Sequence, residues 1–419
     1  MAMILSDYSA ALKEILLPYV RDNFPKEKIL VDQMQKTSDN FINDEFIVPV
    51  RTSRHGGVAN LADDGNNVIT SSGSKYSRGT VGVKIVTGAF DISRLAIDAT
   101  KTSKGAVEAA LENQAKTLAS DFGRQINRQM YGDGIGVVSQ LRQTGGSVSG
   151  TEGATEAPGN GTGADDGRAK DIYGTINGDI DPQKYLAVGQ VLGIGTAGAV
   201  DGTISALTGT SIQFTGTLSL AASDSIFIQD GSAEGAGTSE FNGLKDALSS
   251  STGTSQYAKL ARSNTGWTPQ FGSASEALTL TRLEGNYLSA REFALSGDRY
   301  IILVNKSLYQ KYGDILTAMR RTVNATDLLG GYTGLEFAAG AGKVGVFLDY
   351  DVPDGAVFVI DLDSWMICQV EPMNWISGGD GEPLLRLQNT ISYQATMLWF
   401  ANVLCVAPAA NGQETRKTK

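Results

Sequence analysis

Between Thr102 and Tyr131 the sequence carries a single apolar stripe. Val107, Leu111, Ala115, Leu118, Phe122, Ile126 and Met130 recur at steps of three or four. The spacing predicts a helix with Thr102 or Ser103 as N-cap, ended by Gly132-Asp133-Gly134. At ~1.5 Å per residue it extends about 40 Å. The opposite face holds Lys104, Glu108, Glu112, Lys116, Arg124 and Arg128, which predicts solvent on that side. A helix this long with one apolar stripe is a strut, and the rest of the fold must give it something to lie on.

The segment before the strut has the opposite character. Phe46 to Val50 (FIVPV) and Val81 to Ile92 (VGVKIVTGAFDI) are strand-like, and the 30 residues between them are rich in Gly, Ser, Asn and Asp. Loops that long are uncommon inside compact domains, so the pattern predicts a two-stranded ribbon with a polar tip. A lone ribbon is marginally stable in water, and this one is expected to lie on a neighbour. Arg51, Arg54, Lys75 and Arg78 flank the acidic pair Asp63-Asp64 at the tip. These separated charges are suited to registering an adjacent copy of the chain.

The 419 residues exceed the usual single-core size, so more than one compact unit is expected. A hydrophobic fraction of 41% provides cores, and 50 glycines point to many turns. The formal charge of -10 argues against a protein that grips nucleic acid, because phosphate neutralisation needs an excess of Lys and Arg. It is compatible with enclosing nucleic acid. Cys368 and Cys405 each sit among apolar residues and read as buried free thiols. The N-terminus lacks the pattern of a signal peptide, and no apolar run reaches the ~20 residues needed to span a bilayer.

Residues 8–22 place Leu12, Ile15, Leu16 and Tyr19 at helical spacing, interrupted by Pro18, which predicts a short helix on an extended arm. Gln143 to Arg168 holds eight glycines in 26 residues and reads as a flexible linker. Tyr185 to Asp230 shows short apolar runs broken by Gly, as in a small β-barrel or sandwich of four to six strands. A helix is predicted from about Ala277 to Leu295. Strand Tyr300–Val304 then runs into Asn305, the N-cap of a helix carrying Leu308, Tyr312, Ile315, Leu316 and Met319. Strands follow at Val344–Leu348 and Val357–Ile360. Gly330, Gly331 and Gly340 are expected as hinges of a mobile loop before them. Leu384 to Val406 predicts one or two core strands, and the polar tail beyond it is expected to be disordered.

No catalytic constellation emerges. His55, the single histidine, sits in a Gly-rich tip without an orienting partner. One His and two distant Cys do not make a zinc site. The run DYDVPD (349–354) has three Asp but lacks the Gly and terminal Glu of an EF-hand, so a turn is the reading. Neither GIGTAG nor GLEFAAGAGKVG has the strand-Gly-helix context of a nucleotide loop. No enzyme activity, cofactor or metal is expected.

The order arm, ribbon, strut, β-domain, α/β domain and closing strands resembles the major capsid proteins of tailed bacteriophages, the Hong Kong-97 fold. The resemblance covers about three quarters of the chain and rests on element order. It implies an α+β Hong Kong-97-like fold with an N-terminal arm (1–45), an E-loop ribbon (46–93) and a P-domain with the spine helix (94–142). There follow a Gly-rich linker and inserted β-domain (143–240), a return to the P-domain (241–276), an A-domain (277–383), P-domain strands (384–410) and a disordered tail (411–419). The inserted β-domain departs from the minimal fold. Lys75 is the one candidate for the family's Lys–Asn crosslink, by location only, and no crosslink is expected. The chain begins without the long helical leader some relatives use as an internal scaffold, which implies a separate scaffolding protein. The implied function is a shell of hexamers and pentamers enclosing double-stranded DNA, assembled in the host bacterial cytoplasm. A portal and, in some heads, a decoration protein would be the other partners, with no membrane. Three alternatives compete. An encapsulin-type compartment keeps the fold but lacks so large an insert. A β-rich surface adhesin or tail component is opposed by the strut and the α/β region. An enzyme with its site in 277–360 has no constellation behind it.

Overall fold

The computed structural model describes residues 29–39, 41–53, 55–57, 73–94, 104–134, 136–142, 148–150, 155–156, 168–170, 186–194, 200–207, 212–215, 218–220, 225–227, 240–249, 256–264, 266–294, 296, 299–318, 325–328, 332–339, 342–353, 355–377, 384–387, 391–415 and 417–418. The expected 8–22 helix lies outside them. Residues 29–37 of the expected arm are seated on the body. Leu30 and Val31 are buried in a short helix, Ile29–Gln33, and Gln35–Thr37 pairs in parallel with Trp365–Gln369.

The platform for the strut is a sheet built around one long strand, Ser392–Cys405. Lys84–Ser93 pairs with it antiparallel, from Ser392↔Ser93 to Ala401↔Lys84. Trp365–Gln369, Asn374–Trp375 and Leu384–Arg386 also pair antiparallel with it. The apolar segment 384–406 is therefore two strands. The long helix, Lys104–Tyr131, buries Ala115, Ala119, Phe122, Ile126 and Met130 in the same core as Val86, Phe90, Met397 and Trp399. Leu118 is half-buried against that core; of the stripe's first turns, Val107 and Leu111 are helical in backbone. The approach is close at Gly88, where a Cβ would meet the Phe122 ring at 3.0 Å and the Leu118 side chain at 3.1 Å.

One residue of the expected solvent face is a correction. Arg128 is fully buried, its guanidinium paired with Glu240 and donating from Nε to Gln125 Oε1 at 3.2 Å. The last turn of the helix is enclosed by the 240–248 segment, so the charge is buried with a partner. Gly243 makes that enclosure possible, because a Cβ there would collide with the carbonyl oxygens of Gln129 and Met130.

The second large sheet runs in the order Gln270–Gly272, Gly412–Glu414, Val357–Asp361, Tyr300–Val304, Gly342–Leu348, Tyr332–Ala339, Ala325–Leu328. Tyr300–Val304 and Val357–Asp361 are buried throughout, as strands covered on both faces must be. Ile301, Leu303, Phe358 and Ile360 face the core shared with the strut. Ile302, Val304, Val357 and Val359 face helices Leu280–Arg291 and Lys306–Ala318 through Leu283, Tyr287, Leu308 and Tyr312. Both helices begin on side-chain caps. Thr279 Oγ1 accepts from Arg282 N at 3.3 Å, and Asn305 Oδ1 accepts from Leu308 N at 3.0 Å, as Asn305 was expected to do.

Two expectations change here. The disordered tail is corrected over 411–415. Gly412–Glu414 is a buried strand between Gln270–Gly272 (parallel) and Val357–Val359 (antiparallel), because both of its edges find backbone partners. The stretch before Val344 contains the strand pair Ala325–Leu328 and Tyr332–Ala339. Gly330, Gly331 and Gly340 lie outside the described residues. Between Tyr185 and Asp230 five strands are described. Four of them join an antiparallel sheet that also takes in Val137–Arg142, Thr155–Glu156 and Arg168–Lys170, the last two from or beside the expected linker.

Candidate functional site

The ribbon is real, with a different return strand. Glu45–Arg51 pairs antiparallel with Tyr76–Gly82, from Glu45↔Gly82 to Arg51↔Tyr76. Lys84–Ser93, expected as part of the ribbon, turns away into the platform sheet. The hairpin turn at Asn43 and Asp44 places Phe41–Ile42 beside Glu45–Arg51; both turn residues have positive φ, +51° and +63°, a conformation Asn and Asp tolerate best after Gly.

At its base the ribbon is locked to the body. Phe46 and Val81 are buried, with the Phe41 ring 5.5 Å from that of Phe46. Thr80 N donates to Ala258 O at 2.9 Å, and Lys259 pairs with Glu45. Asn402 Nδ2 donates to Gly82 O at 2.6 Å and to Asn242 Oδ1 at 2.9 Å, and Asn242 Nδ2 donates to Asp246 Oδ2 at 2.8 Å. Arg262 closes this chain of contacts. It donates to the carbonyl of Asp246 and to Ala247 O (2.8 Å) at the end of helix Leu244–Leu248, and lies 5.7 Å from the centre of the Tyr257 ring. Burial raises the Asp246 carboxyl above its ordinary value, against the Asn242 hydrogen bond and the Arg262 charge. Burial also lowers Lys84, against the pull of Asp246.

Toward the tip, burial falls away and polarity takes over. Thr52 N donates to Lys75 O at 2.9 Å and Lys75 N to Ser53 Oγ at 2.9 Å. Arg51, Lys75 and Arg78 are all exposed, and Tyr76 is 69% exposed. Arg54, Asp63 and Asp64 lie outside the described residues. His55 is exposed, and its Nδ1 accepts from Gly57 N at 3.1 Å. Among the described residues no group of three or more His, Cys, Asp or Glu is placed to hold a metal ion, and no helix is long and apolar enough to cross a membrane. Cys368 and Cys405 are free and buried, their thiols both pushed up to about 12, chiefly by burial.

The sequence pattern finds the exposed charges and misses the clamp. Asn402 sits in an apolar strand and Arg262 in a polar loop, and neither has a local signal. Only a Gly82–Asn402–Asn242 contact across 320 residues of sequence gives Asn402 its place.

No family profile matches the chain, and no curated protein matches it by sequence. Solved structures do. A chain of the capsid asymmetric unit of cyanophage A-1(L) superposes with a TM-score of 0.52 at 12% identity, covering 95% of each chain. The SrpI encapsulin of Synechococcus elongatus PCC 7942 gives 0.45 at 8% identity, covering 95% of this chain and 89% of that one. A structure of Mycobacterium phage Bobi gives 0.44 at 8% identity, with 94% and 92% covered. The fold is that of tailed-phage major capsid proteins.

Proposed function

We propose that the chain is the shell subunit of a tailed-bacteriophage head, a structural protein rather than an enzyme, assembling as hexamers and pentamers around double-stranded DNA. The observation that carries this reading is the superposition on a chain of the cyanophage A-1(L) capsid over 95% of both chains. In this reading the ribbon 45–82 is the E-loop, Lys104–Tyr131 the spine helix of the P-domain, 277–383 the A-domain, and the 143–240 region an insert displayed on the shell. The E-loop tip then gains its order on the adjacent subunit, where Arg51, Arg54, Lys75 and Arg78 meet acidic groups and Asp63 and Asp64 meet basic ones. A single exposed pair contributes about 1 kcal/mol or less, but the same pair recurs at every contact in a ring and fixes register. The net charge of -10 gives a wall that contains DNA without adhering to it. The head would be built in the host bacterial cytoplasm with a separate scaffolding protein, a portal and, where one exists, a decoration protein.

Negative-stain microscopy of the expressed chain, with and without a co-expressed scaffold, is the direct test: closed shells support the proposal. Deleting residues 56–73 is expected to leave a soluble, folded chain that forms no shells, since the Phe46–Val81 base is retained. Shells of normal size from that deletion would refute the E-loop assignment.

A further inference from the structure

A second hairpin touches the base of the ribbon. Gln256–Tyr257 pairs antiparallel with Leu260–Ala261, leaving a two-residue turn at Ala258 and Lys259. The foot of this hairpin is fixed in the body. Tyr257 is buried, its hydroxyl accepts from Cys405 N at 2.9 Å, and its carbonyl accepts from Trp267 Nε1 at 3.0 Å. The tip lies on the ribbon. Thr80, which pairs with Ile47 inside the ribbon, donates from N to Ala258 O at 2.9 Å. Lys259 pairs with Glu45 on the facing ribbon strand, and Leu260 Cδ1 comes within 3.7 Å of where a Cβ on Gly79 would stand.

Both turn residues are left-handed, with φ of +49° at Ala258 and +60° at Lys259. A two-residue hairpin favours that conformation at both central positions, and Asn and Gly supply it at least cost. The turn at Asn43 and Asp44 follows the preference. Ala and Lys do not, because their Cβ crowds the following carbonyl oxygen and no short polar side chain compensates. What compensates is contact. The Ala258 side chain packs against the main core, its carbonyl is held by Thr80, and the Lys259 ammonium reaches Glu45. Thr80 and Glu45 are both ribbon residues, so two of these three contacts last only while the base of the ribbon stays where it is. Backbone strain persists where the surroundings over-determine it, and here the ribbon is part of those surroundings.

We propose that the hairpin Gln256–Ala261 is a strained latch on the ribbon. Closed, it grips the ribbon at Thr80 and Glu45 and is itself kept left-handed. When the base of the ribbon moves off, both contacts break and the turn relaxes to an ordinary backbone conformation. The relaxation lowers the cost of release, so the ribbon can lift while the body around Tyr257 and Trp267 stays folded. This inference does not depend on the shell reading.

The test is hydrogen exchange of the full chain. It is read at Thr80 N, which makes the latch's bond, and at Ile302 N, in a strand paired along both edges. With intrinsic rates corrected, wild-type Thr80 should exchange at least about tenfold faster than Ile302, since release does not require the body to unfold. Two variants remove the strain and keep the carbonyl that Thr80 uses. Ala258→Gly has no Cβ to crowd, and Ala258→Asn keeps a Cβ but tolerates the left-handed conformation. In each, Ile302 should slow by about threefold, because the folded chain no longer carries the strain. Thr80 should slow by the same factor, because the turn relaxes in the same opening that exposes Thr80. Slowing at Ile302 alone would overturn the proposal, for the turn would then stay left-handed after the ribbon leaves. No slowing at either amide would mean there is no strain to release, and wild-type Thr80 exchanging in step with Ile302 would mean there is no separate release. Each of those results overturns it too.

Discussion

The described ribbon residues 73–78 and residues 411–415 are both polar, and they end in opposite environments. Gly412–Glu414 lies inside a sheet, with a strand hydrogen-bonded along each edge. Beside it Asn411 is fully buried. Its Oδ1 accepts from Asp361 N (2.8 Å) and Trp365 Nε1 (2.9 Å), and its Nδ2 donates to Ser364 Oγ (2.8 Å) and Ala407 O (2.9 Å). The ribbon, by contrast, has among its described residues from Arg51 to Ser53 and Gly73 to Ser77 backbone partners only within itself, and its exposed face carries Arg51, Lys75 and Arg78. Polarity therefore does not decide which stretch is interior. The supply of a second edge does, because a buried backbone group must be paired. One stretch finds that edge within its own chain; in the shell reading the other finds it on a sister copy.

Three experiments bear on this contrast, the largest effect first. Ending the chain after Ala410 removes the shared strand and the Asn411 contacts together, and is expected to abolish soluble folded protein, checked by circular dichroism and gel filtration. A folded truncated chain would make 411–415 an ornament. Next, Asn411→Ala leaves Asp361 N, Trp365 Nε1 and Ser364 to find other partners, and should lower stability by about 3 kcal/mol in denaturant unfolding. At the small end, Arg51, Lys75 and Arg78 changed together to Ala should alter subunit stability by under about 1 kcal/mol, yet reduce shell yield in microscopy. A large stability loss there would mean that the ribbon is supported by its own body.

The same contrast marks how far the sequence could be read. The strut was legible because Ala115, Phe122, Ile126 and Met130 keep helical spacing whatever surrounds them. Strands Tyr300–Val304 and Val357–Ile360 were legible because runs buried on both faces are apolar throughout. Arg128 was misjudged because a charge placed opposite a stripe looks solvated, and only the distant Glu240 makes its burial tolerable. Gly412–Glu414 was misjudged for a related reason, since the strands that enclose it lie far earlier in the chain. In the ribbon, the exposed charges could be named from local pattern. The switch at Val83 from ribbon to platform could not, because Val81 and Val86 are both buried apolar residues and only pairing partners separate them.

The strand Ser392–Cys405 has a consequence for biosynthesis. It joins Ser93 to Ser392 and Lys84 to Ala401, so the main core cannot close until residues about 300 positions after its first strand have left the ribosome. Pairing across such separations is intrinsically slow. Each newly made chain therefore passes through an interval in which Lys84–Ser93 is an open edge, and a crowded cell filling with identical chains is where such an edge most needs a guardian.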